Sequence, residues 1–272
     1  MKTEDIHRFA GKNAGYYERA WRKKKRVAWN SAAFLFHAAW LGFRKMYLYA
    51  ILFFLLLTVA HALAYAAGWN YALPIINITI PALLVVLAAM AGLGLFGNHL
   101  YRLHAQRKAG KAAGVEEEAK HFFLQAAGGT SWLGVLFVVC LGVVAHVASH
   151  VLFPTQLDII RTVKNSSLYN YPLYEIGETF EEYFQDPSWT YSHAPDGLEM
   201  VEFHGTDKEY GRVDMQFLVD YRMKEIEPYS LKVSGKERTE KQMGELLDRV
   251  FHVETPFELD DQLDEGSKKS AM

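Results

Sequence analysis

Apolar residues crowd into three long runs within the first 153 positions, Tyr47 to Ala67, Pro74 to Phe96 and Trp132 to Phe153, and none of the three contains Lys, Arg, Asp or Glu. A helix rising ~1.5 Å per residue needs about 20 such residues to cross ~30 Å of hydrocarbon. Each run therefore predicts a transmembrane helix. Beyond Phe153 the pattern changes. Tyr174 to Phe184 places Ile176, Phe180, Tyr183 and Phe184 on one face of a short acidic helix, which Asp186-Pro187 ends. Strand patterns follow at Ser188 to Ser192, Leu198 to His204, Arg212 to Tyr221 and Tyr229 to Val233. In the third of these, Val213, Met215, Phe217, Val219 and Tyr221 alternate with Asp214, Gln216, Leu218 and Asp220, the period of a half-buried antiparallel strand. Thr239 opens a closing helix with Met243, Leu246, Leu247 and Val250 on its apolar stripe.

The expected fold class is an α-helical membrane domain of three transmembrane helices with an interfacial N-terminal segment, followed by a small α+β extracytoplasmic domain with an antiparallel sheet. The boundaries read as an interfacial segment over 1–45, the membrane domain over 46–153, a polar tether over 154–170, the α+β domain over 171–257 and a disordered tail over 258–272.

Charge sharpens this division. Overall the chain is near neutral, at −2, but residues 1–153 hold 16 Lys+Arg against 6 Asp+Glu and the remainder 13 against 25. A basic first part suits anionic lipid, and an acidic second part suits water. Eleven of the basic residues precede Tyr47, none lies in 68–73, and five lie in 97–131. Positive charge is retained on the cytoplasmic side. The expected localisation is thus a bacterial plasma or inner membrane, with the N-terminus inside and the C-terminal domain outside. The lone cysteine, Cys140, falls in the third run, so that domain must fold without an intrachain disulfide.

Ahead of the first run, Trp21, Lys23, Lys24, Lys25, Arg26, Trp29, Trp40, Arg44 and Lys45 combine a basic cluster with an aromatic-rich apolar stretch. This is the makeup of a segment at the headgroup level, with cations on phosphate and Trp at the interface. The expected partner is a bilayer with anionic headgroups. Arg44 and Lys45 leave no evident turn before the first span.

The same region carries a resemblance. It is carried by Phe9-Ala-Gly-Lys-Asn-Ala-Gly-Tyr-Tyr17, Trp29-Asn30 with Ala33-Phe34-Leu35-Phe36 and Trp40, Arg44-Lys45-Met46-Tyr47, Gly97-Asn98 with Tyr101 and His104, and Gly128-Gly-Thr-Ser131. Together they resemble a family of small bacterial membrane proteins of unknown function, over roughly residues 8–135. The chain departs from that pattern at Ser31, His37-Ala38 and Phe43. The resemblance implies paired spans and bacterial origin, and, since the family has no established activity, it adds little about mechanism.

Chemistry is sparse. Gly92-Leu-Gly-Leu-Phe-Gly97 has the spacing of a dinucleotide fingerprint but ends an apolar run, without the strand and helix N-terminus that pyrophosphate binding needs. Small residues there, Ala88 and Gly92 among them, suit a neighbouring helix. His61, His146 and His150 lie at similar depth and are the candidate metal, haem or proton-relay residues. Equal depth leaves azimuth open, and the expectation is that the three rings face separate surroundings and that no cofactor is bound. His193, His204 and His252 with scattered carboxylates are the material for an extracytoplasmic hydrolase. The reading preferred over both is a non-enzymatic binding, sensing or regulatory protein whose C-terminal domain meets a protein or small ligand, with no nucleic-acid partner.

Overall fold

The computed structural model describes residues 3–22, 26–112, 114–193 and 198–252, and the chain divides into two compact units, 1–155 and 156–272. The first begins with two short amphipathic helices, α1 (Thr3–Ala10) and α2 (Ala14–Arg22), joined by a 3₁₀ turn. A 13-residue apolar segment, α3 (Ser31–Phe43), follows, two short helical pieces that meet at a kink at His37 (φ 26°, ψ −100°). Even unbroken, at ~1.5 Å per residue it would reach only about 20 Å, too short to span. Then come α4 (Tyr47–Ala66), the small hairpin β1 (Ala72–Leu73) and β2 (Ile78–Thr79), α5 (Ile80–Lys111), α6 (Glu117–Ala127) and α7 (Trp132–Leu152). Helices α4, α5 and α7 are long and apolar enough to cross a membrane.

Two expectations are corrected here. The second span starts at Ile80 rather than Pro74. Residues 74–77 form the turn of the β1–β2 hairpin, with Asn77 in left-handed backbone at φ 45°, and Pro81 takes the helix start, where its missing N–H costs least. The missing turn between α3 and α4 is supplied by Lys45, at φ 58°, with its N–H on Gly42 O and that of Met46 on Leu41 O. These bonds close a two-residue corner.

Small residues let the helices of the first unit touch through their backbones. A Cβ on Gly42 of α3 would strike the carbonyl oxygen of Gly134 of α7, and the reverse holds for Gly134. On α5, Gly94 lies under Trp29 and Gly97 under Ala33, each 2.9 Å from where a Cβ would stand. Gly92 faces open space, so the close approach falls on Gly94 and Gly97. Ser131 caps α7 by accepting from Gly134 N–H at 2.9 Å.

The second unit is an antiparallel meander in the order β3 (after α8 and α9) through β7. Its helices and strands are α8 (Gln156–Lys164), α9 (Ile176–Tyr183), β3 (Gln185–His193), β4 (Glu199–Asp207), β5 (Gly211–Asp220), β6 (Glu225–Val233), β7 (Lys236–Glu237) and α10 (Glu240–Val250). Val213, Met215, Phe217 and Val219 point inward from β5 as the alternation predicts, and Phe180, Phe184, Leu246, Leu247 and Val250 from the helices meet them in one core. The stretch expected as a tether departs from that reading. It contains α8, whose Ile159 and Val163 are fully buried in this core. The disordered tail expected over 258–272 lies outside the described residues.

Thr239 and Gln242 form a reciprocal capping box at the start of α10. Thr239→Ala should cost about 1 kcal/mol, seen as a lower thermal midpoint. An unchanged midpoint would show that the cap carries no stability.

Candidate functional sites

Asn98, buried on α5, ties the N-terminal segment to the bundle. Its Oδ1 accepts from Asn30 Nδ2 at 3.0 Å, its Nδ2 donates to Tyr16 Oη at 3.0 Å, and its carbonyl accepts from Trp21 Nε1 at 3.0 Å. Asn30 in turn caps α3, accepting from Ala33 N–H at 3.0 Å. The N–H groups of Ala28 and Asn30 donate to Leu95 O and Gly94 O, which the glycine at 94 allows by letting the segment lie on the helix. Buried amides satisfied in this way fix the geometry of what surrounds them.

Asn30 lines a pocket of about 630 Å³ between α2, α3 and the start of α7, walled by Tyr17, Trp29, Phe36, Trp40, Phe43 and Trp132. Arg44 lines it and is only 5% exposed. The guanidinium carbon lies 4.9 Å from the ring centre of Tyr17, 5.3 Å from Tyr101 and 5.5 Å from Phe43. Its Nε and Nη1 have no hydrogen-bond partner.

The residues assigned to a membrane interface therefore divide. Trp21, Trp40 and Arg44 are buried inside the unit, where the two indoles pack on Tyr101 at 5.7 and 6.3 Å. Trp29 and Arg26 are exposed, and Lys45 donates from Nζ to Ala126 O at 2.8 Å. Lys23, Lys24 and Lys25 lie outside the described residues.

The three span histidines come together, against the expectation that they would not. The rings of His61 and His150 are 5.0 Å apart and those of His146 and His150 4.3 Å, edge to face. They line a cleft of about 220 Å³ with Thr58 and Ser149. His61 Nε2 is 3.0 Å from Phe153 O, and His150 Nδ1 is 3.3 Å from Asn77 Nδ2. Metal would need nitrogens at ~2.0–2.1 Å from one point. Among the described residues no group of three His, Cys, Asp or Glu is arranged to hold a metal ion.

In the second unit the sheet face away from the core is polar and bonded from strand to strand. Ser230 Oγ donates to Gln216 Oε1 at 2.7 Å, Gln216 Nε2 to Glu202 Oε1 at 2.9 Å, and Ser192 Oγ to the same oxygen at 3.3 Å. Beside this ladder His204 Nδ1 is 2.7 Å from Asp214 Oδ1, to which Arg212 Nε also donates at 3.0 Å. Burial pushes the Asp214 carboxyl up, but these two bonds outweigh it and hold the group below the usual carboxylate range. The stability this adds is present at neutral pH and is lost as pH falls through that lowered value. His193 sits at the other end of the β3–β4 ladder, opposite Glu199, whereas His204 is opposite Ser188. His252 follows α10, lining a cleft with Tyr174 and Glu182. The three histidines do not form one site.

Residues 4–107, from α1 through most of α5, match the family model described as Protein of unknown function (DUF2628). This agrees with the coarse form of the resemblance read from the sequence, a family of unknown function. No curated protein and no solved structure matches the chain. Asn30, Trp40, Arg44, Asn98 and Tyr101 all fall within the matched stretch. Of these, Asn30, Trp40 and Arg44 line the pocket, which the sequence pattern alone does not reveal, and Asn98 and Tyr101 support it from α5.

Proposed function

We propose that the protein is a membrane-anchored, non-enzymatic binding, sensing or regulatory protein of a bacterial plasma or inner membrane. The observation that carries this reading is the second unit's sheet. Helices close one face over a fully apolar core, and the other face presents an ordered polar ladder running from Ser192 on β3 to Ser230 on β6. Such a face is pre-organised for hydrogen bonding with a partner, because the side chains are already held in place by one another. A photo-crosslinking residue at Gln216 in the full chain should yield a discrete adduct in native membranes, and the same residue at exposed Lys241 should not. Equal or absent adducts at both positions would count against the reading.

Orientation in this proposal rests on the Lys/Arg bias, which puts the N-terminus and residues 97–131 in the cytoplasm and the β1–β2 hairpin and second unit outside. In a Cys140→Ser background, Lys241→Cys should react with an impermeant thiol reagent in intact cells and Lys111→Cys should not. Labelling at Lys111 alone would reverse the topology.

The convergence of His61, His146 and His150 favours a second reading, a membrane cofactor or transport subunit. Stoichiometric metal or haem in the purified protein, lost in the triple Ala variant, would put it first.

A further inference from the structure

We propose that the Arg44 pocket binds one anionic phospholipid, the phosphate at the guanidinium and an acyl chain along the aromatic wall. The pocket lies in the first unit, and the inference stands whether or not the second unit binds a partner.

The reason is an uncompensated charge. Removing a guanidinium from water costs several kcal/mol unless an anion and hydrogen bonds replace the water. Arg44 is 5% exposed, its Nε and Nη1 are unpartnered, and among the described residues no carboxylate pairs with it. The three rings around it return part of the cost through cation–π attraction, but they carry no net charge. Tyr17 does not supply an anion either. Burial raises its hydroxyl pKa against the opposing pull of Arg44, so it stays a neutral phenol at physiological pH. A ligand bearing one negative charge would complete the site.

The shape and wall say what carries that charge. A volume of about 630 Å³ is in the range of small-molecule sites. The wall is apolar and continues into side chains open to the surroundings, Phe36 at 61% and Trp132 at 78% exposure. Arg44 stands three residues before α4, and Trp132 is the first residue of α7, so the pocket lies where two spans begin. That is the depth at which a lipid phosphate meets its acyl chains. A free phosphate ion would use the guanidinium and leave the aromatic wall idle. Asn13, Tyr16 and Ser31 line the same pocket and provide polar groups for a headgroup hydroxyl. A phosphodiester fits a guanidinium because its two unesterified oxygens accept from the planar donor fork. A zwitterionic lipid would bring a second cation into a site that already holds one unpaired.

The test is native mass spectrometry on the full-length protein, stripped of lipid in detergent and given phosphatidylglycerol, phosphatidylcholine of the same chains, or inorganic phosphate. One phosphatidylglycerol should be retained per chain, with at least about tenfold preference over phosphatidylcholine, and millimolar inorganic phosphate should not displace it. Arg44→Gln should abolish the preference. Ala39→Phe, which fills the pocket and leaves the charge, should abolish retention, and it decides the matter should the Arg44 variant fail to fold. Equal retention of the two lipids, or full retention in Ala39→Phe, would overturn the proposal. Displacement by inorganic phosphate would overturn it too, in favour of a free anion.

Discussion

Phe217→Asp should unfold the second unit. Phe217 is wholly buried at the middle of β5, with β4 and β6 on either side, and its ring is 5.8 Å from that of Phe180 on α9 and 6.2 Å from that of Trp189 on β3. The substitution removes an aromatic side chain worth about 3–5 kcal/mol when truncated in a core. It also places a carboxylate where no partner stands, at a cost of several kcal/mol more. A domain of about 100 residues has ~5–15 kcal/mol in total, so the two losses together exceed or consume it. Limited proteolysis of the full chain should then cut throughout 156–252, while fragments of the first unit persist. Leu218→Asp is the control, because Leu218 follows on the same strand and points to the polar face. Equal resistance of Phe217→Asp and the parent would mean that the inward side of β5 has been misassigned.

That contrast shows where the fold was legible. The period-two alternation from Val213 to Tyr221 and the apolar stripe from Met243 to Val250 state which side is buried, and the structure follows them. The first and third long runs likewise match α4 and α7 to within a residue, whereas the second run overlaps α5 but neither starts nor ends with it. What escaped was information that lies between segments. Leu157, Ile159, Ile160 and Val163 have helical spacing, but a nine-residue helix with polar neighbours looks like a linker until a core receives Ile159 and Val163. Depth along a span gave the height of His61, His146 and His150 and not their azimuth, so the cluster was invisible. The Arg44 pocket was harder still. Its amide hub joins Asn30 to Asn98 across 68 positions, and nothing near Arg44 in sequence announces that three rings fold over its guanidinium. Small residues do mark a helix contact on α5, but it falls on Gly94 and Gly97 and not on Gly92, whose missing Cβ faces open space.

Gly42→Leu should disrupt the first unit and open its pocket. Gly42 and Gly134 face each other where α3 crosses α7, so close that a Cβ on residue 42 meets the carbonyl oxygen of Gly134 and lies 2.8 Å from Val138 Cγ2. Backbone cannot rotate aside as a long side chain can, so the helices must separate. Overpacking of this kind costs ~1–3 kcal/mol even where side chains yield, and here the separation also forfeits the van der Waals contact on which helix association in lipid depends. Arg44 is two residues on, and α3 supplies Phe36, Trp40 and Phe43 to the pocket wall. Displacing α3 would therefore loosen the rings around the guanidinium and admit water. The measurement is thermal denaturation in detergent beside Gly92→Leu, whose Cβ would meet nothing within 4 Å. A large fall in the midpoint for Gly42→Leu and a small one for Gly92→Leu is the expected pair. Equal midpoints would show that the α3–α7 crossing does not hold the unit together.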